Sequence, residues 1–201
     1  MLNELGRGLM KIKLYICEYQ YKKETYRADE RRVRDFLFET VCKRNSIKNP
    51  EIVKGEHGKP YIMGNPFYYS ISHCKGLVIM AVSDNEVGAD CELIREHNLR
   101  ALERVASEKE RLKIEYSEDR MVEFFRLWTM KESYVKLIGT GIGYPLKNID
   151  TTGDCLVVDG TKKLYPCYFI YNEFAISVID EGKKTPEVEM IILEENSDRK
   201  T

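Results

Sequence analysis

Residues 67–92 read FYYSISHCKGLVIMAVSDNEVGADCE, and this stretch decides the fold. It holds three runs typical of β-strands with a turn pair at each junction: Phe67–Ser72, Leu77–Ser83 and Glu86–Glu92, joined by Lys75-Gly76 and Asp84-Asn85. Three strands in such quick succession predict an antiparallel meander. In the last strand Asp90 and Glu92 lie two residues apart, so both carboxylates leave one face of the sheet and Cys91 leaves the other.

Helical patterns flank this stretch. Val33, Phe36, Leu37 and Val41 have the spacing of an amphipathic helix. A longer helix is predicted from about residue 120 to 138, after the capping sequence Ser117-Glu118-Asp119 and before the glycines at 139 and 141. Further strands are predicted at Lys11–Cys17, Cys155–Val158, Tyr165–Tyr171 and Phe174–Ile179. Strands and helices that segregate in this way predict an α+β fold rather than a parallel βαβ sheet.

The order of a helix followed by strands occurs twice. It predicts two similar α+β halves, 10–96 and 97–190, related by a pseudo-twofold, each an antiparallel meander packed with helices. The segments 1–9 and 191–201 are expected to be disordered termini. Such an internal duplication would let a monomer build a site between its own halves.

Composition excludes several classes of protein. The chain has 201 residues with 32 basic and 33 acidic side chains, so its net charge of -1 gives no overall attraction to nucleic acid or to an anionic membrane. The longest apolar run, Leu77 to Val82, is too short to span a bilayer. Six scattered cysteines without C-x-x-C spacing argue against a zinc knuckle or a disulfide framework, and predict free thiols in a reducing cytoplasm. No apolar signal core precedes the first strand, so export is not expected.

A second acidic motif lies on the long helix. Glu132 and Lys136 are one turn apart on one face. A surface ion pair worth a few tenths of a kcal/mol is the ordinary interpretation, but the neighbouring aromatic residues, including Trp128, favour a partly buried pair. Together with Asp90 and Glu92, the helix would supply three carboxylates for a hard divalent cation and lysines for phosphates. This combination predicts chemistry on a diphosphate.

His73 and Cys74 follow a predicted strand. A lone histidine in this position is more often a hydrogen-bonded structural residue than a catalyst. A Cys–His dyad is rejected, because neighbouring strand residues face opposite sides of the sheet. Lys59, in Gly58-Lys59-Pro60, becomes interesting only as part of an anion site.

In this order, the motifs resemble the 4′-phosphopantetheinyl transferase superfamily, and more closely its larger, pseudo-dimeric Sfp-type members. The resemblance covers roughly residues 11 to 179. It rests on five stretches: Gly58-Lys59-Pro60, Ile71-Ser72-His73, Val87–Glu92, Trp128–Ser133 with Lys136, and Gly139-Thr140-Gly141. It implies transfer of 4′-phosphopantetheine from coenzyme A to a serine of an apo acyl or peptidyl carrier protein, with release of adenosine 3′,5′-bisphosphate.

The resemblance also implies roles for individual residues. Asp90, Glu92 and Glu132 would hold Mg²⁺, with Mn²⁺ as a substitute, and Glu132 would accept the serine proton. Lys136 would sit on the α-phosphate, while Ser72, His73, Lys59 and Lys131 would join it in binding coenzyme A. Glu110 matches a further acidic position without a clear role.

Two surfaces are assigned more loosely by the same resemblance. Arg27, Arg31, Arg32 and Arg34 would add to a 3′-phosphate site, with a solvated charged face as the alternative. The carrier protein would dock on the long helix and the loop after it, near Leu137 and Ile142.

Two rival functions stay open. One is a non-catalytic module that binds a carrier protein or a nucleotide, and the other is a metal-dependent hydrolase acting on nucleotides. The presence of all three acids and of Lys136 favours the transferase over both.

Overall fold

A computed structural model describes residues 11–96, 99–182 and 185–194. Its four α-helices are α1 (Tyr26–Arg44), α2 (Leu99–Val105), α3 (Glu108–Glu115) and α4 (Arg120–Ile138). Its twelve strands are β1 (Ile12–Glu18), β2 (Ile52–Lys54), β3 (Pro60–Ile62), β4 (Tyr68–Cys74), β5 (Leu77–Ser83), β6 (Val87–Leu93), β7 (Ile149–Asp150), β8 (Leu156–Val158), β9 (Lys162–Leu164), β10 (Cys167–Tyr171), β11 (Phe174–Asp180) and β12 (Val188–Ile192). Short 3-10 helices follow α4 at Gly141–Gly143 and Leu146–Asn148. These counts refer to the described ranges.

Two larger sheets form the centre of the fold. The first sheet has the order β12-β1-β5-β4, and the second has the order β10-β11-β6. β12 runs parallel to β1, whereas all other pairings in the two sheets are antiparallel. β2 with β3, and β7 with β8 and β9, make two small accessory sheets.

The two sheets pack face to face between two long helices. Along β5, Val78 and Met80 belong to the core cluster that contains α1, while Leu77 and Ile79 belong to a cluster with β6 and β11. The opposite face of the second sheet carries α4. The resulting layers are helix, sheet, sheet and helix, so side chains that alternate along a strand meet different neighbours.

The predicted α+β class is confirmed. The chain contains two structural units, each with one long helix and one of the two larger sheets, and the two units share one topology. Each consists of a strand, a 19-residue helix and a hairpin, and the first strand pairs with the second strand of the hairpin. The first unit uses β1, α1, β4 and β5, and the second uses β6, α4, β10 and β11. A division at residue 96 would separate β6 from the sheet in which it pairs.

Three details of the sequence prediction are wrong. β6 does not extend the meander, because it pairs with β11, with Asp90 opposite Ser177. The expected disordered end does not begin at residue 191, since β12 continues to Ile192 and Leu193 is buried. The hairpin β2–β3, which carries Lys59 in its turn, was not predicted. The remaining terminal residues, 1–10 and 195–201, lie outside the described ranges.

Local sequence explains the ends of the helices near the site. Asp119 begins α4 by accepting hydrogen bonds from the backbone N–H groups of Met121 and Val122. Gly139 ends it with φ of 73°, in the left-handed conformation that favours glycine. Ser107 and Glu110 form a capping box on α3. Within the described ranges, no helix combines the length and the apolar character that crossing a bilayer requires.

Candidate active site

The site is built where α4 lies directly on β6. The alternating positions of β6 that face α4 are the buried Gly88 and Asp90 and the half-buried Glu92. Cys91 leaves the opposite face, as predicted, and packs into the core between the sheets. A Cβ on Gly88 would lie 1.9 Å from the carbonyl oxygen of Ser133 and 2.6 Å from the backbone nitrogen of Leu137. Only glycine permits this approach, and it brings one turn of α4 beside the two acids.

Asp90, Ser72 and Lys136 form a closed triangle of polar contacts. The Lys136 ammonium donates to Asp90 Oδ1 at 2.6 Å and to Ser72 Oγ at 2.7 Å, and Ser72 Oγ donates to Asp90 Oδ1 at 2.8 Å. Burial alone would lower the pKa of Lys136, but the charge and hydrogen bond of Asp90 outweigh it and the pKa is raised. Lys136 is therefore a fixed cation. The second carboxylate oxygen of Asp90, Oδ2, is buried and accepts no hydrogen bond from the described residues.

Glu92 and Glu132 share a cavity with this triangle, called here the carboxylate cavity, of about 660 Å³. Burial raises the pKa of Glu92 to about 7, the charge of Asp90 adds to the rise, and Lys136 opposes it. Burial and then Asp90 also raise the pKa of Glu132, again against Lys136. In the described part of the chain, neither glutamate has a hydrogen-bonding or ion-pairing partner. Three carboxylates thus face one space in which their negative charges repel each other.

The donor chemistry of this cavity fits a divalent cation. The described residues contain no group of three or more His, Cys, Asp or Glu side chains already gathered as a metal site. The fit rests on the unpartnered Asp90 Oδ2 and on two unpaired carboxylates lining the same space. Such oxygen donors are those that Mg²⁺ prefers, and a bound cation would offset both the burial and the repulsion by Asp90 that raise the pKa of Glu92.

A second, basic cavity of about 860 Å³ adjoins the first. Both cavities are lined by His73 and Lys136. The basic side chains that line the second cavity alone are Arg34, Lys54, His57 and Lys59. His73 Nε2 lies 3.5 Å from Glu30 Oε1, and burial lowers its pKa against the effect of that glutamate. One continuous region therefore offers cations at one end and carboxylates at the other, with Lys136 between them.

The structure brings together six of the predicted site residues: Ser72, His73, Asp90, Glu92, Glu132 and Lys136. Lys59 lines the basic cavity, but its ammonium is already bonded to Glu86, to the carbonyl of Val87 at 3.2 Å and to the carbonyl of Leu137 at 2.8 Å. The three donors of that ammonium are used to tie β6 to the end of α4.

Lys131, predicted to bind coenzyme A, does not line either cavity. It is fully buried, and its ammonium bonds Glu110 at 2.7 Å. The physical reason is the helical period, because Lys131 precedes Glu132 by one residue and so points to a different face of α4. Leu137, predicted to help dock a carrier, is only 3% exposed and packs in the core. The side chain of Ile142 lies outside the described set.

Of the four arginines predicted as a phosphate site, Arg34 lines the basic cavity, where it also pairs with Glu30 at 3.4 Å. Two polar residues of the carboxylate cavity were missed, Arg104 and Tyr144. Tyr144 is held by a hydrogen bond of 2.9 Å to Asp159. Neither stands in a local pattern that sequence periodicity could have detected.

Comparison with known proteins points to one family. The family model of the 4′-phosphopantetheinyl transferase superfamily matches residues 86–187, about half of the 201-residue chain. The match begins one residue before β6 and includes Asp90, Glu92, Glu132 and Lys136. It therefore covers the repeated unit that carries the carboxylates.

Two curated relatives agree with this assignment. The chain is 33% identical over 136 residues to the 4′-phosphopantetheinyl transferase gsp of Aneurinibacillus migulanus, covering 65% of this chain and 55% of that protein. It is 39% identical over 95 residues to the 4′-phosphopantetheinyl transferase psf-1 of Bacillus pumilus, covering 46% and 41%. A crystal structure of Thermotoga maritima holo-[acyl-carrier-protein] synthase is similar over 47% of this chain and 61% of that one, at 19% identity and a TM-score of 0.36.

The chain spans about half the length of the curated relatives that it matches. By the extent of the family match, this chain belongs to the 4′-phosphopantetheinyl transferase superfamily, with relatives of the Sfp type.

Proposed function

We propose that this protein transfers 4′-phosphopantetheine from coenzyme A to a serine of an apo acyl or peptidyl carrier protein, releasing adenosine 3′,5′-bisphosphate. One observation carries the proposal: Asp90, Glu92, Glu132 and Lys136 meet in a single cavity that opens into a basic one. A coenzyme with its 3′-phosphate at the basic end, its diphosphate at the junction and its pantetheine arm at the other end matches this distribution of charge.

Lys136 would bind the diphosphate at the junction of the cavities. Asp90 and Ser72 already hold its ammonium in place, so its charge needs little reorganisation as negative charge develops on the phosphate oxygens. A Mg²⁺ ion held by Asp90, Glu92 and Glu132, with Mn²⁺ as a substitute, would neutralise the diphosphate. His73, at the same junction, would contribute a hydrogen bond to a phosphate.

Glu132 would accept the proton of the attacking serine hydroxyl. Glu132 lines the carboxylate cavity and its carboxylate has no partner among the described residues, so it is available to act as a general base. The serine oxygen forms the new bond to phosphorus while the bond from that phosphorus to adenosine bisphosphate breaks. Lys136 stabilises the charge left on the departing phosphate.

The partners follow from this chemistry. A carrier protein must present its serine at the mouth of the carboxylate cavity, and coenzyme A must enter from the basic side. We also propose that the protein works in the cytoplasm as a monomer, without a nucleic acid or a membrane as partner.

The test is a mass measurement on carrier proteins. A panel of apo acyl and peptidyl carriers is incubated with the protein, coenzyme A and Mg²⁺, and each carrier is weighed by mass spectrometry. At least one carrier should gain the mass of phosphopantetheine, and Glu132→Gln should abolish the gain. Binding of carriers without any mass gain would indicate a non-catalytic module, and release of phosphopantetheine without a carrier would indicate a hydrolase.

A further inference from the structure

One buried cation is not used by the proposed chemistry. Lys131 is 0% exposed and is among the largest fully buried side chains of the described chain. Its ammonium donates to Glu110 Oε2 at 2.7 Å, to the carbonyl of Val105 at 2.8 Å and to the carbonyl of Leu146 at 2.9 Å. All three of its donors are satisfied, so it offers nothing to a ligand.

The two carbonyls that it bonds belong to the wall of the carboxylate cavity. Val105 is the last residue of α2, and Leu146 begins the second 3-10 helix after α4. Both line the cavity, together with Glu132. Lys131 therefore fastens two separate segments of the cavity wall to α4, one residue before Glu132.

Glu110 makes this fastening rigid. Its Oε2 also accepts from the backbone N–H of Ser107 at 2.8 Å, and its Oε1 accepts from Thr151 N–H at 3.0 Å and Thr151 Oγ at 2.9 Å. The pair thus links α2, α3, α4 and Thr151, the residue that follows β7, through one buried network. Since Glu110 is only 1% exposed, its charge has no access to water and depends on Lys131.

Stability alone does not account for the arrangement, because a buried ion pair is often no more stable than well-packed apolar residues. We propose that Lys131 is a positioning residue, whose ammonium fixes the backbone at Val105 and Leu146 and so sets the shape of the wall of the cavity that Glu132 also lines. The effect on catalysis rests on the proposed function, whereas the effect on the wall does not.

Trp128, the single tryptophan of the chain, lines the same cavity and reports on its wall. Quenching of its fluorescence by acrylamide is measured for the wild type, for Lys131→Met and for Arg126→Met. Arg126 is the matched control, since it is a mostly buried cation on the same helix that bonds Glu123 and the carbonyl of Thr151, outside the cavity.

We expect Lys131→Met to raise the quenching constant about twofold or more, because a wall segment released from its anchor opens more often. Arg126→Met should lose stability but leave the quenching constant unchanged. Equal quenching in Lys131→Met and the wild type, or an equal rise in Arg126→Met, would overturn the assignment.

If Lys131→Met does not fold, the double variant Lys131→Met/Glu110→Gln is measured instead, because it leaves no unpaired buried charge. Failure of the double variant to fold would also overturn the inference, since the Lys131–Glu110 pair would then be required for folding of the core and would have no separate role in positioning the cavity wall. In the carrier assay, Lys131→Met should lower kcat more than it raises KM for coenzyme A. If Lys131→Met shows the rise in quenching but the wild-type protein transfers phosphopantetheine to no carrier, the positioning role stands and the proposed function is rejected.

Discussion

Replacing Gly88 by alanine tests whether the close contact between β6 and α4 assembles the site. The added Cβ would lie 1.9 Å from the carbonyl oxygen of Ser133, against the 3.0 Å below which real Cβ atoms are essentially never found. The obstacle is helix backbone, which cannot rotate away, so α4 must move by about 1.1 Å. A rigid shift of that size would lengthen the 2.6 Å contact between Lys136 and Asp90 to as much as about 3.7 Å, beyond hydrogen-bonding range.

We expect Gly88→Ala to cost about 1–3 kcal/mol of stability, the usual penalty of overpacking. Because catalytic groups misplaced by about 1 Å can lose about 100-fold in rate, transfer to a carrier should fall by a similar factor in protein that is still folded. Urea unfolding gives the first quantity, and initial rates at saturating coenzyme A give the second.

Gly153→Ala is the matched control, since a Cβ at Gly153 meets nothing within 4 Å. It should change stability by less than about 0.5 kcal/mol and leave the rate unaltered. A Gly88→Ala protein with wild-type stability and rate would refute the reasoning that only glycine lets the helix approach the strand.

Three further predictions concern the carboxylates, the metal and Lys59. Glu92→Gln should stabilise the metal-free protein by about 1–2 kcal/mol at pH 8 and by little at pH 5. The figure at pH 8 is smaller than the pKa shift alone would give, because water screens the charge of the half-buried Glu92. The pKa of Glu92 in the folded state, about 7, exceeds the ordinary 4.5, so the folded state binds more protons and wild-type stability declines as pH rises from 4.5 through 7. Urea unfolding in the presence of a chelator at pH 5 and pH 8 measures this effect. An equal effect of Glu92→Gln at the two pH values would contradict the prediction. Chelation should abolish transfer, and adding Mg²⁺ or Mn²⁺ should restore it; full activity in chelator would remove the metal from the account. Lys59→Met should cost about 1–3 kcal/mol, because the carbonyl at the end of α4 loses its donor, whereas the exposed Lys54→Met should not change the melting temperature.

The side of the sheet on which each acid lies could be predicted from the sequence. The period of two along β6 places Asp90 and Glu92 on one face and Cys91 on the other, and the helical period places Glu132 and Lys136 together. These are local rules of backbone geometry, so they hold whatever the rest of the chain does. The same helical rule, applied to Lys131, would have separated it from Glu132.

Pairing between distant strands could not be predicted in this way. β6 follows β5 after a three-residue turn, which favours a meander, yet it pairs with β11, more than eighty residues further along the chain. Nothing local distinguishes the two outcomes, because both bury the same apolar face. The hydrogen bond from Lys59 to the carbonyl of Leu137 could not be predicted either, because Leu137 is distant in sequence and belongs to the other unit.

The most direct test of the central claim is a crystal structure of the protein with coenzyme A and Mg²⁺. The account predicts a metal ion with oxygen ligands from Asp90, Glu92 and Glu132, and the coenzyme diphosphate against Lys136. A coenzyme bound away from Lys136, or a diphosphate without a metal ion beside those three acids, would contradict it.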